Sequence, residues 1–129
     1  MEEMTGEEKI ELVRRLYQMF RERQGDAAFE FIADDVEWDA TEVPMPGLAG
    51  MYHGHEGVRK FWRMWLDAWE ELDWQEVEPQ ELGDGRVRTH VVQRNKGRDS
   101  GIWIDQPLYD QLWTIEDGKV TRMTYRMVR

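Results

Sequence analysis

Gly57-Val-Arg-Lys-Phe-Trp-Arg-Met-Trp-Leu-Asp-Ala-Trp69 is the stretch on which the fold turns. Val58, Trp62, Trp65 and Trp69 recur at steps of four, three and four, which is one apolar stripe of an α-helix. Phe61, Leu66, Ala68 and Leu72 widen the stripe, while Arg59, Lys60, Arg63, Asp67 and Glu70 fill the other side. The spacing predicts a helix from about His55 to Leu72. Three tryptophans are more apolar surface than a helix of this length needs for docking, so something large and concave has to close over them. Complete closure leaves a solid core, and incomplete closure leaves a pocket.

Upstream, Thr5-Gly-Glu-Glu8 has the form of a capping box, and Ile10, Val13, Leu16, Tyr17 and Phe20 continue a helix to about Arg23. Gly25 ends it, and Asp26 is placed to cap a short second helix, Ala27 to Ala33, with Phe29 and Ile32 inward. Val36-Glu-Trp-Asp-Ala40 alternates as a strand does. Residues 41–54 hold two prolines and three glycines and form the longest irregular piece, of a kind that often binds or gates a ligand. Downstream of the tryptophans the period falls to two. Strands are expected over Trp74–Glu81, Arg86–Arg94, Ser100–Ile115 with a bend near Pro107, and Lys119–Val128 after a tight Asp117-Gly118 turn. Helices set apart from a strand meander make the class α+β, and no linker or repeat divides residues 1–129, so one domain is expected.

Cysteine is absent, which removes disulfides, thiolate nucleophiles and Cys-based zinc sites and fits a cytoplasmic setting. The acidic start Met1-Glu-Glu-Met4 is unlike a signal peptide, and no apolar run approaches the ~20 residues that span a bilayer, so no membrane partner is expected. A net charge of −10 argues against nucleic acid, whose binding depends on cations that neutralise phosphate. There is no dinucleotide fingerprint, phosphate loop or Ser-His-Asp pattern, so no cofactor is expected. His53 and His55, with no clear third ligand, do not make a metal site.

The element order and several local motifs resemble the SnoaL-like branch of the nuclear-transport-factor-2-like (NTF2-like) superfamily. The matching pieces are Leu16-Tyr-Gln-Met-Phe20 with Gly25-Asp26, Ala33-Asp-Asp-Val-Glu-Trp38, and His53-Gly-His-Glu-Gly-Val-Arg-Lys-Phe-Trp62. Ser100-Gly101 and Gln111-Leu-Trp-Thr-Ile-Glu-Asp-Gly-Lys-Val120 complete the set. The resemblance implies a cone, in which three N-terminal helices pack against a curved, mostly antiparallel sheet whose open end is a ligand pocket. It says less about activity, because the superfamily includes polyketide cyclases, ketosteroid isomerases, dehydratases, epoxide hydrolases and non-catalytic binders.

Strand parity then sorts the candidates. Tyr109, Gln111, Trp113 and Ile115 share one face, as do Met123, Tyr125 and Met127, and the resemblance makes these the inward faces. Trp38 is inward by the same alternation, with Val36 and Ala40. Gln111 falls near a carboxylic acid of the steroid isomerases and is a candidate carbonyl donor, or else a structural amide bonded to Tyr17 or Tyr125. Tyr17 falls near the family's helix-one tyrosine, with Leu16 as a rival for that register. The isomerase base position falls at Ala40, which leaves adjacent Asp39, if a bulge turns it inward, and Asp105 as candidate bases. Trp38, His53, Trp62, Trp65, Tyr109, Trp113, Met123 and Tyr125 are the expected ligand-binding residues. The expectation is thus a pocket for a small hydrophobic aromatic or polycyclic carbonyl compound. It serves either a cofactor-free isomerase or aldol-type cyclase, or a non-catalytic, homodimeric binding or scaffold domain. A dimer would use the outward face Arg86, Arg88, His90, Val92 and Arg94.

Overall fold

Thr5 opens the first helix as its sequence pattern requires. Its hydroxyl accepts from the Glu8 amide at 3.1 Å, and the Glu8 carboxylate accepts from the Thr5 amide at 2.9 Å. The computed structural model describes residues 4–22, 24–45, 47–76, 79–105 and 109–128. Helix α1 runs Gly6–Arg21 and buries Leu12, Val13, Leu16 and Tyr17, so both rivals for the helix-one register face the core. Helix α2 is a single turn, Gly25–Ala28, followed by a 3-10 turn at Phe29–Phe31. Strand β1, Ile32–Asp39, therefore starts earlier than the alternation at Val36 indicates. Ile32 is already paired with Val120, and the irregular stretch between Ile32 and Glu37 holds Asp34 and Asp35.

The chain continues through β2 (Met51–His53), α3 (Gly54–Ala68), β3 (Trp69–Glu76), β4 (Gln80–Glu81) and β5 (Arg86–Gly97). It ends with β6 (Trp103–Asp105), β7 (Tyr109–Glu116) and β8 (Lys119–Met127). The strands form one sheet in the order β2-β1-β8-β7-β5-β3, with β4 and β6 added beside β5. All pairings are antiparallel except β1 with β8. The meander is β3-β5-β7-β8, and β1 closes it as a parallel neighbour, with the short β2 outside it. The Asp117-Gly118 turn joins β7 to β8 with φ of 51° and 78°, the left-handed pair a two-residue hairpin needs. The expected bend at Pro107 lies outside the described residues.

The tryptophan helix is shorter than its periodicity implies. It stops at Ala68, because from Trp69 onward the backbone pairs with β5, beginning at Gly97. Arg98 fastens that end, donating from Nε to the Asp67 carbonyl at 2.9 Å and from Nη2 to the Leu66 carbonyl at 3.1 Å. A cation on the last free carbonyls of a helix satisfies its orphan acceptors and its dipole together. Trp69 is accordingly a strand residue and not the third tryptophan of the stripe. Val58 and Phe61 are the buried members of α3, while Trp62 and Trp65 are half-buried.

Sheet alternation is as expected on the strands that matter. Val36, Trp38 and Ala40, Val87 and Val91, Trp113 and Ile115, and Met123 are all buried on the concave face. Trp38 is the hub, meeting Trp62, Trp113 and Tyr125 edge-on with ring centroids 5.9, 5.8 and 6.4 Å away. Edge-to-face contact sets the positive rim of one ring against the negative face of the next, which adds to the area already buried.

Candidate functional site

Closure over the helix is incomplete. A cavity of about 810 Å³ lies between α1, α3 and the concave side of β3, β5, β7 and β8, within the range that holds a drug-sized ligand. Trp62, Trp65 and Phe61 of α3, Trp38 of β1, and Trp69 and Trp74 of β3 make an aromatic wall. Val43 and Pro44 bring the 41–50 loop to its edge, and that loop is held by the Tyr52 hydroxyl, which donates to the Leu48 carbonyl at 2.5 Å. Gly25 borders the cavity because Trp62 leans on it: a Cβ there would stand 3.3 Å from the indole ring. The exposed residues Arg21, Leu66, Glu70, Glu71, Asp73 and Arg98 form its mouth.

The inner polar groups are all uncharged. Tyr17, whose side chain is buried, donates its O–H to Gln111 Oε1, a bond that joins α1 to β7. Tyr109 donates to Gln93 Oε1 at 2.6 Å, and Gln93 Nε2 donates to Asn95 Oδ1 at 2.8 Å. Burial raises the pKa of Tyr17 above the ordinary phenol value. Trp113 Nε1 and Thr89 Oγ1 stand near enough to its oxygen to oppose that shift, without aligning into hydrogen bonds. Burial likewise raises Tyr109 well above the ordinary value, and it raises Tyr125 against smaller opposing contributions from the Trp38 indole and the Gln111 amide. All three phenols therefore stay protonated at neutral pH, so the site offers hydrogen bonds and no anion. Among the described residues, the indoles of Trp38, Trp69 and Trp113, Thr89 Oγ1 and Asn95 Nδ2 are buried without a hydrogen-bond partner.

Of the residues singled out from sequence, Tyr17, Trp38, Trp62, Trp65, Tyr109, Gln111 and Tyr125 all border the cavity. Trp113 and Met123 are fully buried behind its wall and support it. His53 is exposed on β2 at the start of α3 and lies apart from the cavity. The two candidate bases are also elsewhere. No bulge turns Asp39 inward: it pairs with Thr124 in continuous register after Trp38 with Met123, and so faces the outer side. There it accepts from the Thr41 hydroxyl at 2.7 Å, the Thr41 amide at 3.1 Å and Arg122 Nη2 at 3.1 Å. Partial burial works to raise its pKa, but Thr41 and Arg122 outweigh it and hold the carboxyl below its usual value. A base held in its anionic form by a guanidinium is a weak one. Asp105 is exposed and bonded to Arg94 Nε at 2.8 Å, across from Arg94 on β6, so its face is opposite to that of Tyr109.

Gln93, Asn95, Trp69 and Arg98 have places in or beside the site that sequence reasoning did not assign. One signal was available: Thr89, Gln93 and Asn95 are polar residues at three of the five inward positions of a strand whose other inward members are Val87 and Val91. Polar side chains at core-facing positions mark either a buried network or a ligand site. Among the described residues no group of three His, Asp or Glu side chains is placed to hold a metal ion, and no helix is long and apolar enough to cross a membrane.

Comparison with known proteins agrees with this architecture. The profile of the SnoaL-like domain matches residues 13–123. Among solved structures, TerC co-crystallised with polyporic acid aligns with a TM-score of 0.79 and 26% identity, covering 92% of this chain and 90% of that one. An NTF2-like protein of unknown function from Burkholderia pseudomallei aligns at 0.80 and 23% identity, over 97% and 92%. A putative polyketide cyclase from Xanthomonas campestris aligns at 0.72 and 19%, over 94% and 91%. No curated protein matches the sequence.

Proposed function

The chain belongs to the SnoaL-like domain family, and on that premise we propose that it binds a planar aromatic or polycyclic carbonyl compound in its cavity and polarises that carbonyl with neutral hydrogen-bond donors. The observation that carries this reading is the pairing of an aromatic wall with an interior of un-ionised tyrosine and amide groups. Flat apolar surface is what tryptophan rings bury best, and a carbonyl oxygen is the acceptor that buried phenols and amides are suited to meet. TerC, 26% identical to this chain, was co-crystallised with polyporic acid, which makes that compound the first ligand to try.

An acid–base enzyme, such as an isomerase or aldol-type cyclase, is the second reading. It needs a base, and the carboxylates that border the cavity are Glu70, Glu71 and Asp73 at the mouth. That reading therefore places the acidic C–H of the substrate at the mouth, with its carbonyl deep against the tyrosines. The outer face of β5, where Arg88, Val92 and Arg94 are exposed, remains our proposed homodimer surface.

Five tryptophans border the cavity, so their fluorescence reports occupancy directly. Titration with polyporic acid and with fluorenone should give saturable quenching in the micromolar range. Absence of saturable quenching up to the solubility limit of both compounds refutes the binding reading. Proton exchange at the α-carbon of a bound ketone, lost in Glu70→Gln, Glu71→Gln or Asp73→Asn, would select the enzyme.

A further inference from the structure

The hydrogen bonds inside the cavity run in fixed directions. An amide carbonyl oxygen only accepts, so Tyr17 must give its proton to Gln111 Oε1 and Tyr109 must give its proton to Gln93 Oε1. The same Gln93 amide is engaged at its other end, its NH₂ donating to Asn95 Oδ1 at 2.8 Å. Tyr109 therefore has no proton left for a ligand and presents only lone pairs to the cavity it borders.

Tyr125 has the opposite polarity. It is directly paired with Gln111 across β7 and β8. With Oε1 of Gln111 taken up by Tyr17, what remains toward Tyr125 is the amide NH₂, a donor, which leaves Tyr125 as the acceptor in that contact. Among the described residues nothing accepts the Tyr125 proton. Its O–H is free to point into the cavity that Tyr125 borders. The two tyrosine rings stand side by side, with centroids 5.7 Å apart.

We infer that the cavity recognises a carbonyl with a hydroxyl beside it on the same edge of the ligand, Tyr125 donating to the carbonyl oxygen and Tyr109 accepting from the hydroxyl. This specificity rests on the binding reading above and narrows it from aromatic carbonyl compounds to hydroxy-carbonyl and enolic ones. It follows from which oxygens have spent their protons, which neither the wall nor the volume of the cavity determines. Both phenols keep their protons across the neutral range, because burial holds them un-ionised.

The test compares three probes at neutral pH: fluorenone, the hydroxyfluorenone with its hydroxyl next to the carbonyl, and the methyl ether of that compound. Wild-type protein should bind the hydroxy compound about tenfold more tightly than fluorenone, the scale of one well-made hydrogen bond. Tyr109→Phe should bring that ratio to about one. Gln93→Met removes the acceptor that holds the Tyr109 proton; Tyr109 can then donate as well as accept, so the methyl ether should gain affinity toward that of the hydroxy compound. Tyr125→Phe should weaken all three probes by a similar factor and leave the ratio standing. Equal wild-type affinities for hydroxyfluorenone and fluorenone, or a ratio that survives Tyr109→Phe, would overturn the inference while leaving the binding reading intact. Failure of all three probes to bind the wild type would overturn both.

Discussion

The bond between Tyr17 and Gln111 makes a quantitative claim about stability. Tyr17→Phe keeps the ring among its neighbours and removes only the hydroxyl. It strands Oε1 of Gln111, a residue 7% exposed, and takes away the oxygen that Trp113 Nε1 and Thr89 Oγ1 approach. An unpaired buried polar atom costs roughly 1–3 kcal/mol, and because Gln111 borders an open cavity where water can replace the phenol, the lower half of that range applies. Gln111→Met removes the acceptor instead and leaves the hydroxyl of Tyr17, a residue 3% exposed, without that carbonyl. That site is less accessible, so about 2 kcal/mol is expected. At about 2.1 cal/mol/K per residue, the 129 residues give a shift of about 4 °C in Tm for each kcal/mol. The double variant removes both partners, so its loss should fall short of the sum of the single losses by about 1 kcal/mol. Urea unfolding of the four proteins, compared at equal m-values, measures this cycle. Additive losses, or a Tyr17→Phe protein as stable as the wild type, would show that the bond does not join α1 to β7 and would undo the assignment of Gln111 Oε1 to the Tyr17 proton.

The buried phenols also set a pH profile. Tyr17, Tyr109 and Tyr125 hold their protons more tightly folded than unfolded, so their contribution is complete below the unfolded value near 10 and is lost as pH rises through it toward the folded values. Each adds a slope of about 1.4 kcal/mol per pH unit in that window, so alkaline unfolding should be steep, and shallower in Tyr109→Phe. On the acid side Asp39, held below its usual value, stabilises above the unfolded pKa, and that contribution is lost as pH falls through the folded one. Asp39→Asn should accordingly flatten the stability curve below about pH 4, where a wild-type curve of the same slope would contradict the Arg122 and Thr41 contacts. Arg98→Met should release the C-terminal carbonyls of α3 at a cost of about 1–2 kcal/mol, with faster amide exchange at residues 66–70 than elsewhere in the helix. Uniform exchange along α3 in that variant would show that β3 pairing alone ends the helix.

What the sequence by itself determined is whatever depends on local period. Alternation put Tyr109 with Gln111 on one face of β7 and Tyr125 with Met123 on one face of β8, because adjacent side chains in a strand must point to opposite faces, and the resemblance made both faces inward. The capping box at Thr5 and the Asp117-Gly118 hairpin are equally local, and the resemblance supplied the cone. Tertiary structure decided the rest. Trp69 continues the helical stripe in sequence, yet its backbone pairs with Gly97, and the gain from joining the sheet outweighs one more turn of helix. Asp39 and Asp105 were candidates on composition and neighbourhood, and both are drawn to outer-face arginines, Arg122 and Arg94, whose positions come from other strands. Tyr17 and Gln111 lie 94 residues apart, and the sequence offered Tyr17 only as one of two partners for that amide; the fold makes the bond. The direction in which each hydroxyl gives its proton follows only from that meeting. It is the folded contact, more than the identity of the residues, that turns an aromatic cavity into a site with a donor on one side and an acceptor beside it.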